Sequence, residues 1–266
     1  MPNSLLDRFR RRSDSRSSTD EFDGALPTFI IIGAMKSGTS ALHRYLREHP
    51  QVCTSTRKET NFFFRPKGHD LAWYRSHFTK PADQYGEASP NYTKRHMDDG
   101  VAQRMYDVLP DVRLIYLVRD PIERAVSHFQ HNVYKGRIDP DYFEVYFDDL
   151  DNQVLQTSRY HWQLEPFVET YGLDRILVMA SEKLRDDRAE SMAQVFRFID
   201  VDPEFSSPAF DVESHLTSLM KGPDGELLGR PPVFSAQQHG MIADHLRPDI
   251  DRFRALVGQD FAHWSV

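Results

Sequence analysis

The sequence predicts an α/β fold, a three-layer sandwich in which a central, mostly parallel sheet is flanked by helices. Three observations support this prediction. Five short apolar runs predict strands, helical periodicity fills the segments between them, and two phosphate-binding patterns begin where strands end. Such an alternation of strands and helices is typical of a parallel sheet, whose ligands bind beyond the carboxyl ends of the strands.

The predicted elements follow one another along the chain. Strands are predicted at 28–33, 51–54, 84–88, 112–118 and 175–180. Apolar residues recur at helical spacing in the segments that begin at Leu71, Met97, Ile122, Leu164 and Met192. Residues 202–235 are rich in proline, glycine and polar residues and predict a long loop, and residues 237–258 predict one or two closing helices.

Length and composition bound the architecture. A chain of 266 residues is long enough for one sizeable core, and we expect a single domain at 25–266 after a disordered, Arg- and Ser-rich tail at 1–24. The net charge of −7 argues against nucleic acid and against a long polyanionic substrate. The single cysteine excludes an internal disulfide, and no apolar stretch approaches the ~18 residues of a membrane span. We therefore expect a cytoplasmic protein, and its oligomeric state is left open.

The first phosphate-binding pattern runs from Phe29 to Ser40. An apolar strand ends in a glycine-rich turn and a helix begins, so that backbone N–H groups and the helix dipole point at an anion. The pattern departs from the Walker A loop, which would place lysine directly after Gly38. Thr39 occupies that position, and the lysine comes earlier, at Lys36. A phosphate-bearing donor other than ATP is therefore predicted.

The second pattern follows the strand predicted at 112–118. Pro121 fits the first turn of a new helix, so Arg119 lies at the end of the strand and Ser127 on the helix. An arginine fork and a hydroxyl group suit a second, separate phosphate.

Together, the two motifs in this order resemble the sulfotransferases that use 3′-phosphoadenosine 5′-phosphosulfate (PAPS), over residues 27 to 200. The resemblance implies a P-loop-like fold, a metal-free reaction and adenosine 3′,5′-bisphosphate (PAP) as the product. It also implies that Arg119 and Ser127 hold the 3′-phosphate. The loop for the 5′-phosphosulfate corresponds to Lys36, Ser37, Gly38, Thr39 and Ser40.

The C-terminal part resembles the same family more loosely. The ending from Gly258 to Trp264 is similar to that of bacterial members, so the resemblance implies a bacterial enzyme. Lys221 and Arg230 look like two halves of a basic loop with which the family also grips PAPS, and the resemblance assigns both to donor binding.

Two catalytic groups are expected from the chemistry. Charge on the bridging oxygen must be neutralised, and the acceptor must lose a proton away from competing water. Lys36 is the candidate for the first task. Glu59 is the candidate base, because the segment from Lys58 to Phe63 resembles the Lys-Glu-x-x-Phe-Phe segment of glycan-type sulfotransferases, whose glutamate takes this proton. Aromatic neighbours can dry the site and raise the pKa of a carboxylate, but the three consecutive phenylalanines that follow are expected in the core rather than at the substrate.

A histidine base, used by the cytosolic small-molecule branch of the family, is the alternative. The resemblance places His161 on a helix that lines the acceptor side, and we expect it to contact the acceptor. The other histidines that compete for such a role are His69, His77, His128 and His131. No His or Cys cluster predicts a metal site.

The acceptor is only partly bounded by the sequence. Residues 86–92 resemble a segment that lines the acceptor cleft, but Ala88 stands where the heparan-sulfate enzymes carry lysine. This difference argues against heparan-sulfate specificity and leaves another glycan or a small molecule. Two further functions stay open. A P-loop kinase or NTPase would need Mg²⁺, for which Asp120 is the strand-end candidate, and a non-catalytic nucleotide-binding protein would not need Glu59.

Overall fold

The computed structural model describes residues 22–211 and 220–266, and a five-stranded sheet lies at the centre of this part of the chain. Its strands are β1 (Phe29–Gly33), β2 (Val52–Thr54), β3 (Gln84–Ala88), β4 (Arg113–Val118) and β5 (Ile176–Ala180). Their order across the sheet is β2-β3-β1-β4-β5, and every neighbouring pair is parallel. The predicted parallel α/β sheet is therefore confirmed, with each strand within one residue of its expected bounds.

Helices connect the strands on both faces of the sheet. Those of the described residues are α1 (Thr39–Glu48), α2 (Leu71–Arg75), α3 (Val101–Tyr106), α4 (Pro121–Tyr134), α5 (Phe143–Asp148), α6 (Gln153–Thr157), α7 (Tyr160–Tyr171), α8 (Ser181–Asp186), α9 (Arg188–Phe198) and α10 (Ala236–Val257). None of them is long and apolar enough to cross a membrane. The tail predicted at 1–24 lies outside the described residues except for its last three.

Alternate side chains of the central strands face two separate hydrophobic layers. Phe29 and Ile31 of β1 pack with α1 and α9 on one face of the sheet. Ile30 and Ile32 pack with α3, α4, α7 and α10 on the other face. Burial of both faces explains why the strands are continuous apolar runs rather than alternating ones.

The segment predicted as a long loop at 202–235 contains a short hairpin in its described part. The amide of Met220 donates to the carbonyl oxygen of Gly229 at 2.8 Å. The end of this segment is anchored by Phe234, whose ring stacks on that of Phe143 with centroids 4.7 Å apart. A single continuous helix, α10, then closes the domain.

The two phosphate-binding patterns meet at one edge of the sheet. β1 and β4 are neighbours, and their connections leave in opposite directions, β1 toward β2 and β4 toward β5. Ligands of open α/β sheets bind in the crevice at such a point. The backbone is tightly packed there, since a Cβ atom on Gly33 would lie 2.3 Å from the Thr93 hydroxyl oxygen. Both predicted phosphate sites therefore open into the same crevice.

Candidate active site

The loop between β1 and α1 presents hydrogen-bond donors at the crevice. Gly38 adopts a left-handed conformation (φ 88°) and α1 begins after it without a side-chain cap. Among the described residues, the amides of Thr39 and Ser40 have no backbone partner. The Ser37 hydroxyl group is fully buried and has no partner either. Orphan donors at a helix N-terminus are the chemistry of an anion site.

Lys36 lies in the same loop, and charges from both predicted phosphate sites act on it. Burial lowers its pKa, and the positive charges of Arg119, Lys58 and Arg124 lower it further. The carboxylate of Glu59 acts in the opposite direction and raises the pKa. The structure therefore brings Lys36, Arg119 and Glu59 into one electrostatic site, although they come from three separate segments.

The guanidinium group of Arg119 is already paired within the protein. Its guanidinium donates to Glu123, with the Nη2 atom 2.8 Å and the Nε atom 3.2 Å from Oε2. Its backbone is fixed as well, because the Tyr160 hydroxyl group donates to the Arg119 carbonyl oxygen at 2.7 Å. Ser127 is largely buried and follows Glu123 by one turn of α4. A phosphate held by Arg119 and Ser127 would therefore compete with Glu123 for the guanidinium.

Arg124 is a residue for which the sequence predicts no role beyond a place in a local basic site with Lys36 and Arg119. Its guanidinium is fully buried and donates to the Ser158 hydroxyl oxygen at 2.8 Å and to the Met35 carbonyl oxygen at 3.2 Å. It also donates to the Val154 carbonyl oxygen and to His128. Burial lowers the pKa of Arg124 to about 10. Since Met35 immediately precedes Lys36, Arg124 braces the donor loop from behind.

Glu59 lies at the mouth of the crevice rather than in a dry pocket. Its side chain is 44% exposed, and one carboxylate oxygen is 2.7 Å from the Lys58 ammonium. Phe62 and Phe63 turn into the hydrophobic core, as the sequence favours for these rings, and Phe62 stacks on Tyr74 with centroids 4.3 Å apart. They therefore do not enclose the carboxylate. The backbone of Glu59 is nevertheless held in a left-handed conformation (φ 62°).

The segment expected to line the acceptor cleft lies directly beside Glu59. The Glu59 amide donates to the carbonyl oxygen of Ala88 at 2.9 Å. The next side chain, Thr60, donates to the fully buried carboxylate of Glu87. Burial raises the pKa of Glu87. Residues 86–89 therefore support the backbone of Glu59, and their place at the acceptor side stays a prediction.

Lys94 is a residue of this region whose role the sequence does not predict. It is only 7% exposed, and its ammonium has no hydrogen bond or ion pair within residues 22–211 and 220–266. Burial lowers the pKa of Lys94 to about 8, with a further contribution from Arg124, whereas Glu59 raises it. Its neighbour Thr93 packs against Gly33 at the end of β1, so Lys94 lies at the same edge of the sheet as the donor loop. A polar stripe at helical spacing on α4, which includes Arg124 and His128, was the available sequence signal for this buried polar region.

Three predicted residues are not brought into contact with Lys36 or Glu59. The amide of His161 donates to the Asp249 carboxylate at 2.9 Å, at the start of α7. Lys221 and Arg230 are exposed at the two ends of the hairpin at 220–229. Their roles in acceptor and donor binding stay predictions. The pKa of His131, on α4, is lowered to about 4 by burial and then by the charge of Lys36.

Asp120, the strand-end candidate for Mg²⁺, is occupied by the protein itself. One carboxylate oxygen accepts from the amides of Ile122 and Glu123 at 2.9 Å and so caps α4. The other oxygen accepts from the amide of Ser265. In the described part of the chain, no group of three or more His, Cys, Asp or Glu side chains is placed to hold a metal ion.

Comparison with known proteins gives a consistent result. A family model described as the sulfotransferase domain matches residues 26–221. The chain is 28% identical over 260 residues to heparan sulfate glucosamine 3-O-sulfotransferase 3A1 of Mus musculus, covering 91% of this chain and 65% of that protein. It is 24% identical over 275 residues to the mouse bifunctional heparan sulfate N-deacetylase/N-sulfotransferase 4, covering 90% of this chain and 31% of that protein. The chain thus spans less than two thirds of the length of these relatives.

The fold is also found among solved structures. A sulfotransferase from Alicyclobacillus acidocaldarius matches with a TM-score of 0.72 and 22% identity, covering 91% of this chain and 100% of that one. A sulfotransferase domain from the curacin biosynthetic pathway matches with a TM-score of 0.51 and 16% identity, covering 88% of this chain and 99% of that one. These similarities confirm the fold class.

Proposed function

Because this chain belongs to the sulfotransferase family, we propose that it moves a sulfuryl group from PAPS to a hydroxyl group or amine of a glycan or small-molecule acceptor. One observation carries the proposal. Lys36 and Arg119 belong to separate motifs, yet they lie close enough at the ends of neighbouring strands for one charge to shift the pKa of the other. A donor with a phosphate at each end requires two cationic sites of this kind.

The donor loop fits the 5′-phosphosulfate of PAPS. The orphan hydroxyl group of Ser37 and the unpaired amides of Thr39 and Ser40 supply donors to its oxygens. Lys36 supplies a positive charge. Arg124 holds the loop that carries Lys36 by donating to the Met35 carbonyl oxygen. Arg119 and Ser127 would hold the 3′-phosphate, with Arg119 giving up its contact with Glu123.

The transfer follows from the placement of charge. The acceptor oxygen or nitrogen forms a bond to sulfur while the bond from sulfur to the bridging oxygen breaks, and the electron pair of the broken bond remains on the phosphate of PAP. Lys36 neutralises that developing charge. Glu59 takes the proton of the acceptor, and its exposed position at the mouth of the crevice gives the acceptor access. No step requires a metal ion.

The acceptor class is inferred from relatives and from this chain together. The names of both relatives specify heparan sulfate, and one of them specifies glucosamine, which favours a carbohydrate hydroxyl group or amine. Ala88 and the net charge of −7 argue against the same polyanionic polymer. A P-loop kinase is disfavoured by Thr39 at the Walker lysine position and by the capping role of Asp120.

The proposal is tested by PAP formation from PAPS over a panel of phenols and monosaccharide glycosides. We expect Glu59→Gln to lower kcat by about 100-fold, since a positioned base contributes at least that factor, and to leave PAP affinity unchanged. Glu190→Gln, in an exposed ion pair with Arg197 on α9, is the matched control. Full turnover by Glu59→Gln would remove Glu59 from the mechanism, and ATP turnover that needs Mg²⁺ would favour the kinase.

A further inference from the structure

Lys94 has an ammonium group without a protein partner. The residue is 7% exposed and follows the buried Tyr92 in the turn after β3. Within the described ranges, no carboxylate or carbonyl oxygen accepts from its Nζ atom. Burial of an unpaired charge is costly, and groups of this kind are found where a ligand supplies the missing partner.

Two neighbouring histidines present N–H donors. The Nδ1 atom of His96 is 3.1 Å from the Nε2 atom of Gln163, and that amide is oriented by the Arg95 amide, which donates to Gln163 Oε1 at 2.7 Å. The Nδ1 atom of His128 is 3.2 Å from the Nη1 atom of Arg124. Amide NH₂ and guanidinium groups only donate, so both Nδ1 atoms accept and the neutral rings carry their proton on Nε2.

Both rings are neutral in the physiological range. Burial lowers the pKa of His96 to about 4, with Lys94 as the next cause. Burial, Arg124 and Lys94 hold the pKa of His128 well below its usual value. Lys94 lies two residues before His96, and its neighbour Thr93 packs against Gly33 at the start of the donor loop. Arg124 joins His128 to the Met35 carbonyl oxygen of the same loop. These contacts bring Lys94 and both rings to one edge of the sheet. The Nε2 atom of His96 is buried and has no hydrogen-bond partner among the described residues.

The face of α4 beside these groups carries further buried polar side chains. Arg124, His128 and Asn132 follow one another at one-turn spacing, and all three are buried. The Nδ2 atom of Asn132, again a donor, is buried without a partner in the described part of the chain. Glu59 is the carboxylate whose charge acts on Lys94, and it already has a role as the base.

We propose that the acceptor side of the crevice contains an anion subsite built on Lys94, with His96 and His128 as accessory donors. The acceptor would carry a carboxylate, sulfate or phosphate group near the hydroxyl group or amine that is sulfated. This inference rests on the proposed function. One ammonium balances one anionic group, which agrees with an acidic protein that repels long polyanions.

The test compares charged and uncharged ligands on the PAP-saturated enzyme at pH 7 by calorimetry. The probes are methyl β-D-glucuronide against methyl β-D-glucoside, and 4-hydroxybenzoate against 4-hydroxybenzamide. In at least one pair, we expect the anion to bind tenfold or more tightly than its neutral counterpart. Lys94→Met should abolish this preference, whereas Lys80→Met, which changes an exposed lysine, should retain it. Absence of a preference in both pairs, or a preference that survives Lys94→Met, overturns the proposal.

A measurement on the unaltered protein covers the case in which Lys94→Met does not fold. The glucuronide preference should fade as the pH rises from 7 to 9, because the ammonium loses its proton near pH 8. Arg124, Arg137 and Glu59 are the other charges that act on Lys94. Burial lowers the pKa of Arg124 only to about 10, so most of its charge remains at pH 9. An unchanged preference contradicts the proposal. Failure of PAP itself to bind would instead contradict the proposed function, so the two failures are distinguishable.

Discussion

Arg124 braces the proposed donor loop from within the core. Its guanidinium holds the Met35 carbonyl oxygen, the Ser158 hydroxyl group and the Val154 carbonyl oxygen at once. The donor loop and the segment 154–158, which are distant in sequence, therefore depend on one planar group. A lysine at this position would keep the charge but could not reach all three acceptors.

We expect Arg124→Lys to weaken PAP binding by about tenfold, which corresponds to about 1.4 kcal/mol, because the loop that carries Lys36 loses its support. Calorimetric titration with PAP measures this change. Arg185→Lys, which alters an exposed ion pair with Asp186 on α8, is the control and should bind PAP like the unaltered protein. A folded Arg124→Lys variant with unchanged affinity would exclude the bracing role.

Glu123 pairs with Arg119, the arginine that we propose for the 3′-phosphate. Replacement by glutamine removes a negative charge from the guanidinium that is assigned to the 3′-phosphate. We expect Glu123→Gln to bind PAP about three- to tenfold more tightly, the range for loss of one partly exposed charge contact. Glu144→Gln, at an exposed position on α5, provides the comparison. Weaker PAP binding by Glu123→Gln would instead mean that Glu123 orients Arg119 productively.

Single residues were predictable where a motif fixes them to the end of a strand. Lys36 and Arg119 belong to this class, because a strand, a turn and a helix start place them without help from the rest of the chain. The bracing role of Arg124 and the burial of Lys94 were not predictable, since their environment is created by distant segments. The core position of Phe62 was favoured by the sequence, but its stacking partner Tyr74 of α2 was not.

At the scale of elements, the strands were predicted because burial on both faces leaves a continuous apolar run. Helix starts were less predictable, since the groups that begin a helix can be remote. The helix expected near Met97 begins at Val101, because the amides of Met97 and Asp98 first close a turn on the Lys94 carbonyl oxygen. α7 begins at Tyr160, before its first expected apolar residue, where Asp249 of α10 binds its free amides.

Asp249 thereby acts as an N-cap for α7 from another helix. Its two oxygens accept from the amides of His161 and Trp162 at 2.9 and 3.0 Å. We expect Asp249→Ala to lower the free energy of unfolding by about 1–2 kcal/mol, as for loss of a helix cap, while PAP affinity stays the same. Urea unfolding gives the first quantity, with Asp251→Ala on the exposed face of α10 as the control. Equal stability of the two variants would contradict the capping role.

At the scale of the whole molecule, the order of the strands explains why the two motifs cooperate. β4 is fourth in sequence but lies beside β1, so the ends that carry Lys36 and Arg119 are adjacent. The fold class follows from the sequence, because the alternation of elements and the motifs at strand ends agree. The proposed acceptor side does not follow from the sequence. It is assembled from the turn after β3, α4 and α7, whose mutual placement depends on the folded core.

The central claim is that this crevice is built for PAPS rather than for ATP. The most direct test is calorimetric titration of the protein with PAP, with and without Mg²⁺, beside ATP with Mg²⁺. We expect PAP to bind at least tenfold more tightly than ATP. Mg²⁺ should not change the affinity for PAP. Tighter binding of ATP with Mg²⁺, or no binding of PAP, would contradict this claim.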